Sequence, residues 1–224
     1  MAASKGSKLE ISPLHREASA LLRQMELEVK VLFLEAGPDL SEVPQLRRRV
    51  LIRSIFASIE ALSYFLRNLA VNNRHPKDVK LEDRLIVSEA SYDLDNNGSI
   101  AQRPLKLRTT ASIRYSFSVF KRSYGTNFDL DVTGKPWQSY LRAVKVRDRI
   151  THPKKLEDIT ISEEELMDAA QSWHWFSDAF ATTMLEALEA TKAQTASMKR
   201  EISRLRKELD ARRAMLTGKL LIPD

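Results

Sequence analysis

The feature that most constrains this chain is a stretch of more than 50 residues, between Ser162 and Gly218, that contains neither glycine nor proline. These two residues are the usual breakers of helices, so their absence predicts one long C-terminal helix. Ser162 can cap its first turn, and the three glutamates that follow suit the positive end of the helix dipole. The chain is therefore expected to be all-α, with one compact helical core and this long C-terminal helix.

The apolar pattern of this helix changes along its length. Its first part is rich enough in large apolar residues, such as Leu166, Trp173 and Phe180, to pack on a core. Over residues 191–217 the pattern narrows to a seam with steps of four and three, at Met198, Ile202, Leu205, Leu209 and then Leu216. Such a seam is typical of a coiled coil and predicts pairing with a second copy or another protein. A single amphipathic helix packed on its own domain is the alternative.

Further helices are predicted upstream from the helical spacing of apolar residues. They cover residues 13–35, 46–71, 81–90, 105–124 and 137–151, and the second should be central and most buried. Residues 93–104 and 125–136 are predicted loops, the latter with a short extended piece at 128–132. We expect a flexible N-terminus over residues 1–12, one helical domain over residues 13–190, and the coiled-coil extension.

One predicted loop resembles the start of a calcium-binding loop. It contains Asp93-x-Asp95-x-Asn97-Gly98, but Pro104 occupies the position where that pattern requires a bidentate acid. We therefore predict a polar turn there and no metal site.

Composition excludes several classes of protein. There are no cysteines, so disulfides and cysteine-based metal sites are excluded. No segment reaches the roughly 18 apolar residues of a membrane span, and a cytoplasmic location without membrane contact is expected.

The net charge of +6 is compatible with an anionic partner such as RNA. Residues 96–127 contain no acid, and aromatic residues lie between their cations. The cations are Arg103, Lys106, Arg108, Arg114, Lys121 and Arg122. This stretch is a candidate RNA-binding surface. The alternative is that the aromatic residues face the core behind a solvated row of cations.

One constellation could carry chemistry. The four histidines lack the spacing of a zinc site, and there is no glycine-rich phosphate loop, so neither a metal nor a cofactor is expected. Arg147 lies near the end of a predicted helix and has five donors suited to a phosphate. Pro153 forces the helix to end near His152, so that the histidine can turn back toward the arginine. Such a pair can perform acid–base chemistry on a phosphodiester.

These residues resemble a known family. Arg147, Asp148 and His152 match the Arg-x4-6-His motif of the HEPN superfamily, in which the residue after the arginine is typically Asn, Asp or His. The context is also similar, with an apolar helix containing Glu60 upstream and another beginning near Ser162 downstream. The resemblance covers about residues 44–190.

The resemblance implies an antiparallel helical bundle that dimerises and cleaves RNA without metal where two motifs meet. His152 would act as general acid or base, Arg147 would hold the scissile phosphate, and Asp148 would orient one of them. Glu60 is a further candidate catalytic residue. Products would carry a 2′,3′-cyclic phosphate. Cations near the motif extend the candidate RNA-binding set: Arg142, Lys145, Lys154 and Lys155.

Two hypotheses of different classes remain open. The first is a HEPN-type endoribonuclease or RNA-binding protein that serves in defence or stress response. The second is a non-catalytic dimeric module that recruits a partner through its C-terminal coiled coil. On that second hypothesis Arg147, Asp148 and Glu60 form an ordinary ion network, and His152 only caps a helix. His174, between two tryptophans, is predicted to pack in the core or an interface, and His15 and His75 to lie on the surface.

Overall fold

The computed structural model describes residues 20, 23–25, 27–32, 42–73, 76–105 and 107–219, with the backbone alone at residue 209 and residues 211–219. The predicted flexible segment 1–12 and most of the predicted helix 13–35 lie outside this part of the chain. So do His15, His75 and Lys106. Within the described residues of that first helix, residues 27–32 are helical, and Val29 is fully buried in the core.

The described chain is mostly helical. Its elements are α1 (Gln45–Val71), α2 (Leu81–Val87), β1 (Ala90–Leu94), β2 (Ile100–Pro104), α3 (Thr109–Tyr124), α4 (Lys135–Thr151) and α5 (Glu163–Lys219). A short 3-10 helix, Leu156–Ile159, precedes α5. These bounds confirm the predicted helices from residue 46 onward to within four residues, because proline, glycine and capping residues mark most of their ends.

Helix α1 is the centre of the bundle, as predicted. Most of its apolar face is buried, and it contacts α3, α4 and α5. Arg53 contacts Ile150 while Glu60 contacts Arg147, so α4 runs antiparallel to α1. Glu60 contacts Thr109 while Ala70 contacts Ser123, so α1 and α3 run in the same direction. The segment between α1 and α3 therefore returns the chain from the end of α1 to the middle of that helix, beside Glu60.

That returning segment contains a β-hairpin where the sequence analysis predicted a loop. Strands β1 and β2 pair antiparallel from Ala90 opposite Pro104 to Leu94 opposite Ile100. The predicted polar turn forms the tip, where Asp95 Oδ1 accepts hydrogen bonds from the backbone N–H groups of Asn97 (2.9 Å) and Ser99 (2.8 Å). Local turn chemistry was readable from the sequence, but cross-strand pairing was not, because most residues of both strands are exposed and show no alternation.

The predicted extended piece at residues 128–132 is not paired in a sheet with any described residue. Phe128, Leu130 and Val132 pack against the core from irregular backbone instead. Side-chain burial rather than strand pairing holds this segment.

Helix α5 begins with the predicted cap. Ser162 Oγ accepts from the backbone N–H of Glu165 (3.1 Å), and the Glu165 carboxylate accepts from the N–H of Ser162 (3.0 Å), which is a reciprocal capping box. At 1.5 Å per residue the helix is about 85 Å long. Its first half is packed in the core as far as Ala187, and residues 196–208 are exposed. Among the described residues, no helix is both long enough and apolar enough to cross a membrane.

Candidate active site

Arg147 lies in the last turns of α4 and reaches across to α1 and α3. Its Nη2 donates to the Glu60 carboxylate and to Thr109 Oγ1 (2.8 Å), and its Nη1 lies 3.1 Å from Asp148 Oδ1. These contacts bring together three of the four predicted catalytic residues. Thr109, in the first turn of α3, joins them and was not predicted from the sequence.

The guanidinium of Arg147 also rests on an aromatic floor. Its Cζ lies 5.5 Å from the centroid of the Phe56 ring, and Phe56 packs on Tyr140 at 5.9 Å. Tyr140 is fully buried, and burial raises the pKa of its hydroxyl, which therefore stays protonated at neutral pH. The guanidinium therefore lies over the Phe56 ring, whose face attracts a cation.

Arg147 keeps donors that its partners do not use. Of the five N–H groups of an arginine, those on the terminal nitrogens engage Glu60, Thr109 and Asp148. Its Nε is buried and has no hydrogen-bond partner among the described residues. Both carboxylates are half exposed, at 50% for Glu60 and 59% for Asp148, so they can be rehydrated at low cost when an anion approaches.

His152 ends α4. Its backbone N–H donates to the carbonyl of Asp148 (3.1 Å), and Pro153 follows, so the predicted helix end is confirmed. The imidazole is exposed, and in the described part of the chain no group hydrogen-bonds to it. Within one chain the structure therefore does not bring His152 into hydrogen-bond contact with Arg147. The imidazole is open to solvent at the same end of α4 as the arginine.

Arg53 is a site residue that the sequence analysis missed. Its Nη2 donates to the carbonyl of Ile150 (2.8 Å), one of the carbonyls left without a helical partner at the end of α4. The side chain is exposed, and no carboxylate of the described chain pairs with it. A signal was present, because Arg53, Glu60 and Arg67 follow one another at intervals of seven on α1. This spacing places all three on one face of the helix.

The segment that follows His152 is tied to the start of α1. Arg49 donates to the carbonyl of Ile159 (3.0 Å), and Gln45 exchanges two hydrogen bonds with the backbone of Ile161 (2.9 and 2.8 Å). Arg149, from α4, donates to Thr160 (2.8 Å) and pairs with Glu165 (2.9 Å). His152 therefore lies between two anchored points of the backbone.

The predicted RNA-binding cations fall into two groups. Several are paired with acids: Arg103 with Asp93, Lys121 with Asp129, Arg122 with Asp83, Arg142 with Asp168, and Lys155 with Glu157. Exposed cations without an acidic partner in the described chain are Arg108, Arg114, Lys145 and Lys154. Phe117 and Phe120 are buried, and Tyr115 and Tyr124 pack against the core. The aromatic residues of this stretch therefore pack in or against the core, as the alternative interpretation predicted.

Comparison of the chain with family models, with curated proteins and with solved structures finds no match. Among the described residues no group of three or more histidine, aspartate or glutamate side chains is arranged to hold a metal ion.

His174 is exposed, so its predicted packing in the core is wrong. It lies on the solvent-facing side of α5 with Gln171 and Asp178, while the neighbouring Trp173 turns inward. Each residue advances the helix by about 100 degrees, so a residue next to a core tryptophan need not share its face.

Proposed function

We propose that this chain is a metal-independent endoribonuclease of the HEPN type that acts as a homodimer in defence or stress response. The observation that carries the proposal is the position of Arg147, held by Glu60 and Thr109 beside the exposed end of α4 that bears His152. A guanidinium that is held in place beside half-exposed counter-ions is suited to stabilise the charge that develops on a phosphorane. An exposed imidazole is suited to transfer protons.

In this mechanism Arg147 binds the scissile phosphate, and Asp148 and Glu60 keep the guanidinium in place. His152 takes the proton of the 2′-hydroxyl or delivers one to the leaving oxygen. The 2′-oxygen attacks phosphorus while the bond to the 5′-oxygen breaks, which leaves a 2′,3′-cyclic phosphate and a 5′-hydroxyl. Because Arg147 and His152 do not contact each other within one chain, the second copy of the motif would supply the complementary group.

The decisive experiment is RNA cleavage in the presence of EDTA, with wild-type and His152→Ala proteins compared on a panel of single-stranded RNAs. Loss of one general acid–base group is expected to slow cleavage by about a hundred- to ten-thousand-fold. His174→Ala is the matched control, since His174 is exposed on another helix. It lies next to Trp175, which packs against Trp137 near the opposite end of α4, and its loss should leave the rate unchanged. Undiminished cleavage by the His152→Ala protein, or none by wild type, would overturn the proposal.

Two observations favour the non-catalytic interaction module as a second candidate. The charge of Arg147 is already balanced within one chain by Glu60 and Asp148. In addition, Met198, Ile202 and Leu205 form an exposed apolar stripe on the part of α5 that extends beyond the core. Most of the stability of a helix in a protein comes from packing of its apolar face, so a partner helix that covers this stripe would stabilise the extension.

The coiled-coil part of this second candidate is tested by mass in solution. Light scattering of the full chain at micromolar concentration should give a dimer, and Ile202→Glu should shift it to a monomer because a charge enters the seam. A monomer mass for the wild-type protein would exclude self-pairing through α5. Dimerisation without cleavage of any RNA would favour the interaction module.

A further inference from the structure

A cleft of about 380 Å³ lies between α1 and α3, beside the candidate active site. It is lined by polar residues, namely Glu60, Ser63, Arg67, Glu89, Thr109 and Ser112, together with Tyr64 and two leucines. Glu60 and Thr109 also contact Arg147, so the two sites share an edge. The centre of the cleft is a different arginine.

Arg67 is a buried guanidinium at the side of this cleft. Its side chain is only 3% exposed, and its Nη2 donates to Glu89 Oε1 at 2.8 Å. Its Nη1 donates to Ser112 Oγ and to Ser116 Oγ (3.3 Å). Burial lowers the pKa of the guanidinium, and Glu89 opposes this effect. A buried cation is costly without a counter-charge, so an anion at this position stabilises the folded chain.

Glu89 is suited to be a replaceable anion. Its side chain is 48% exposed, so its carboxylate returns to water with a small change in solvation. Its backbone has a positive φ of 51°, which is uncommon for a residue other than glycine, and its carbonyl accepts from the N–H of Leu105 (2.7 Å). Because the hairpin fixes the backbone, rotation of the side chain alone can release Arg67.

The cleft contains hydrogen-bond donors that do not contact the carboxylate of Glu89. Ser63 is 1% exposed, and neither its Oγ nor the Nε of Arg67 has a hydrogen-bond partner among the described residues. Buried polar groups are nearly always hydrogen-bonded in native proteins, so these two atoms indicate an unmet acceptor. A phosphate monoester has three acceptor oxygens and a charge of about −1.5 to −2 at pH 7, more than a carboxylate offers.

We propose that this cleft binds a phosphate monoester, whose oxygens take the place of the Glu89 carboxylate on Arg67 and reach Ser63 and Ser112. The negative charge of Glu60 at the edge of the cleft is balanced by Arg147 and does not exclude the ligand. The site acts independently of RNA cleavage, so either can fail without the other.

Isothermal titration calorimetry of the full chain with inorganic phosphate and with ribose 5-phosphate tests the site. Glu89→Gln removes the competing carboxylate and should tighten phosphate binding by at least about tenfold, the worth of a charge-assisted hydrogen bond. Arg67→Lys should abolish binding, because a lysine cannot present the guanidinium fork. Asp93→Asn is the matched control: Asp93 pairs with the exposed Arg103 on the hairpin, and its loss should leave binding unchanged.

If Glu89→Gln binds phosphate no more tightly than wild type, Glu89 is a permanent part of a structural ion pair and the proposal fails. This comparison decides the matter even if the Arg67→Lys protein does not fold. A 2′-O-methyl oligonucleotide with or without a 5′-phosphate separates the two sources of the ligand. Tighter binding of its phosphorylated form than of ribose 5-phosphate assigns the site to a strand end, and the reverse assigns it to a small phosphate ester.

Discussion

Two arginine–carboxylate clusters in this molecule are built in opposite ways. In one, Asp83 of α2 is the buried partner, with a side chain that is 5% exposed, and Arg122 of α3 lies outside it. Both oxygens of Asp83 accept from Arg122 (2.8 and 3.0 Å), one also accepts from Tyr115 Oη (2.7 Å), and the other from the N–H of Lys80 (2.9 Å). We call this the closed cluster.

The cluster around Arg147 has the reverse order of burial. The guanidinium is the more enclosed partner, and the carboxylates of Glu60 and Asp148 are half exposed. A donor of Arg147 is left over, whereas the oxygens of Asp83 are fully engaged. We call this the open cluster.

An ion pair is therefore best classified by which partner is buried and by whether any of its hydrogen-bond donors or acceptors lack a partner. A buried, saturated carboxylate stabilises the fold and has no capacity for a ligand. A guanidinium that is held by half-exposed counter-ions can bind a further anion beside them.

The rate of RNA cleavage should separate the clusters most sharply. On the proposed mechanism, Arg147→Ala removes the group that would stabilise the developing charge, and it should slow cleavage by about a hundred- to a thousand-fold. Asp83→Asn should leave the rate per folded molecule unchanged, because Asp83 belongs to the closed cluster. Single-turnover kinetics in EDTA measure the cleavage rates of both variants, and circular dichroism measures the fraction of each that is folded. Equal losses in the two variants would show that the clusters are not functionally distinct.

Urea denaturation should show the opposite order. Asp83→Asn breaks a buried pair and is expected to lower the free energy of unfolding by about 3 kcal/mol. Glu60→Gln alters a half-exposed pair and should lower it by less than about 1 kcal/mol. If the Glu60 variant proves the less stable of the two, the assignment of open and closed clusters is wrong.

Acid should weaken the closed cluster in a defined range of pH. The hydrogen bonds from Arg122 hold the pKa of Asp83 at about 2, below its ordinary value of 3.8. A depressed folded-state pKa contributes stability above the unfolded-state pKa, worth about 2 kcal/mol here, which is lost as pH falls from about 4 to about 2. Unfolding free energies of wild type and Asp83→Asn should therefore converge across this range. A constant difference between them down to pH 2 would contradict the pKa of Asp83.

The salt dependence of RNA binding should give the smallest effect. Arg53 caps the end of α4 at the open cluster, and Arg84 caps the end of α1 near the closed cluster by donating to Val71 (3.3 Å). Both are exposed arginines that donate to a helix carbonyl, so they form a matched pair. Arg53→Gln should reduce the slope of log affinity against log salt by about 0.7, the value of one phosphate contact on a single strand. Arg84→Gln should not change it, and equal slopes in the two variants would remove Arg53 from the site.

The sequence by itself determined the helical class and most element bounds. Proline before α1 and after α4, Gly125 after α3 and the Ser162 cap before α5 act within one or two turns, so they can be read without knowledge of the rest of the chain. The same local logic placed Arg147 and His152 at the end of a helix. It also predicted the polar turn at Asp95, although not the hairpin around it.

Only the tertiary structure decided which charges meet. Glu60 and Arg147 are 87 residues apart, and nothing local to either specifies the other or adds Thr109 to the pair. The outward position of His174 and the pairing of Arg67 with Glu89 likewise depend on how helices and hairpin pack. Helix signals depend on neighbours along the chain, whereas an ion pair between elements depends on the rotation and offset of packed helices, which the whole core sets.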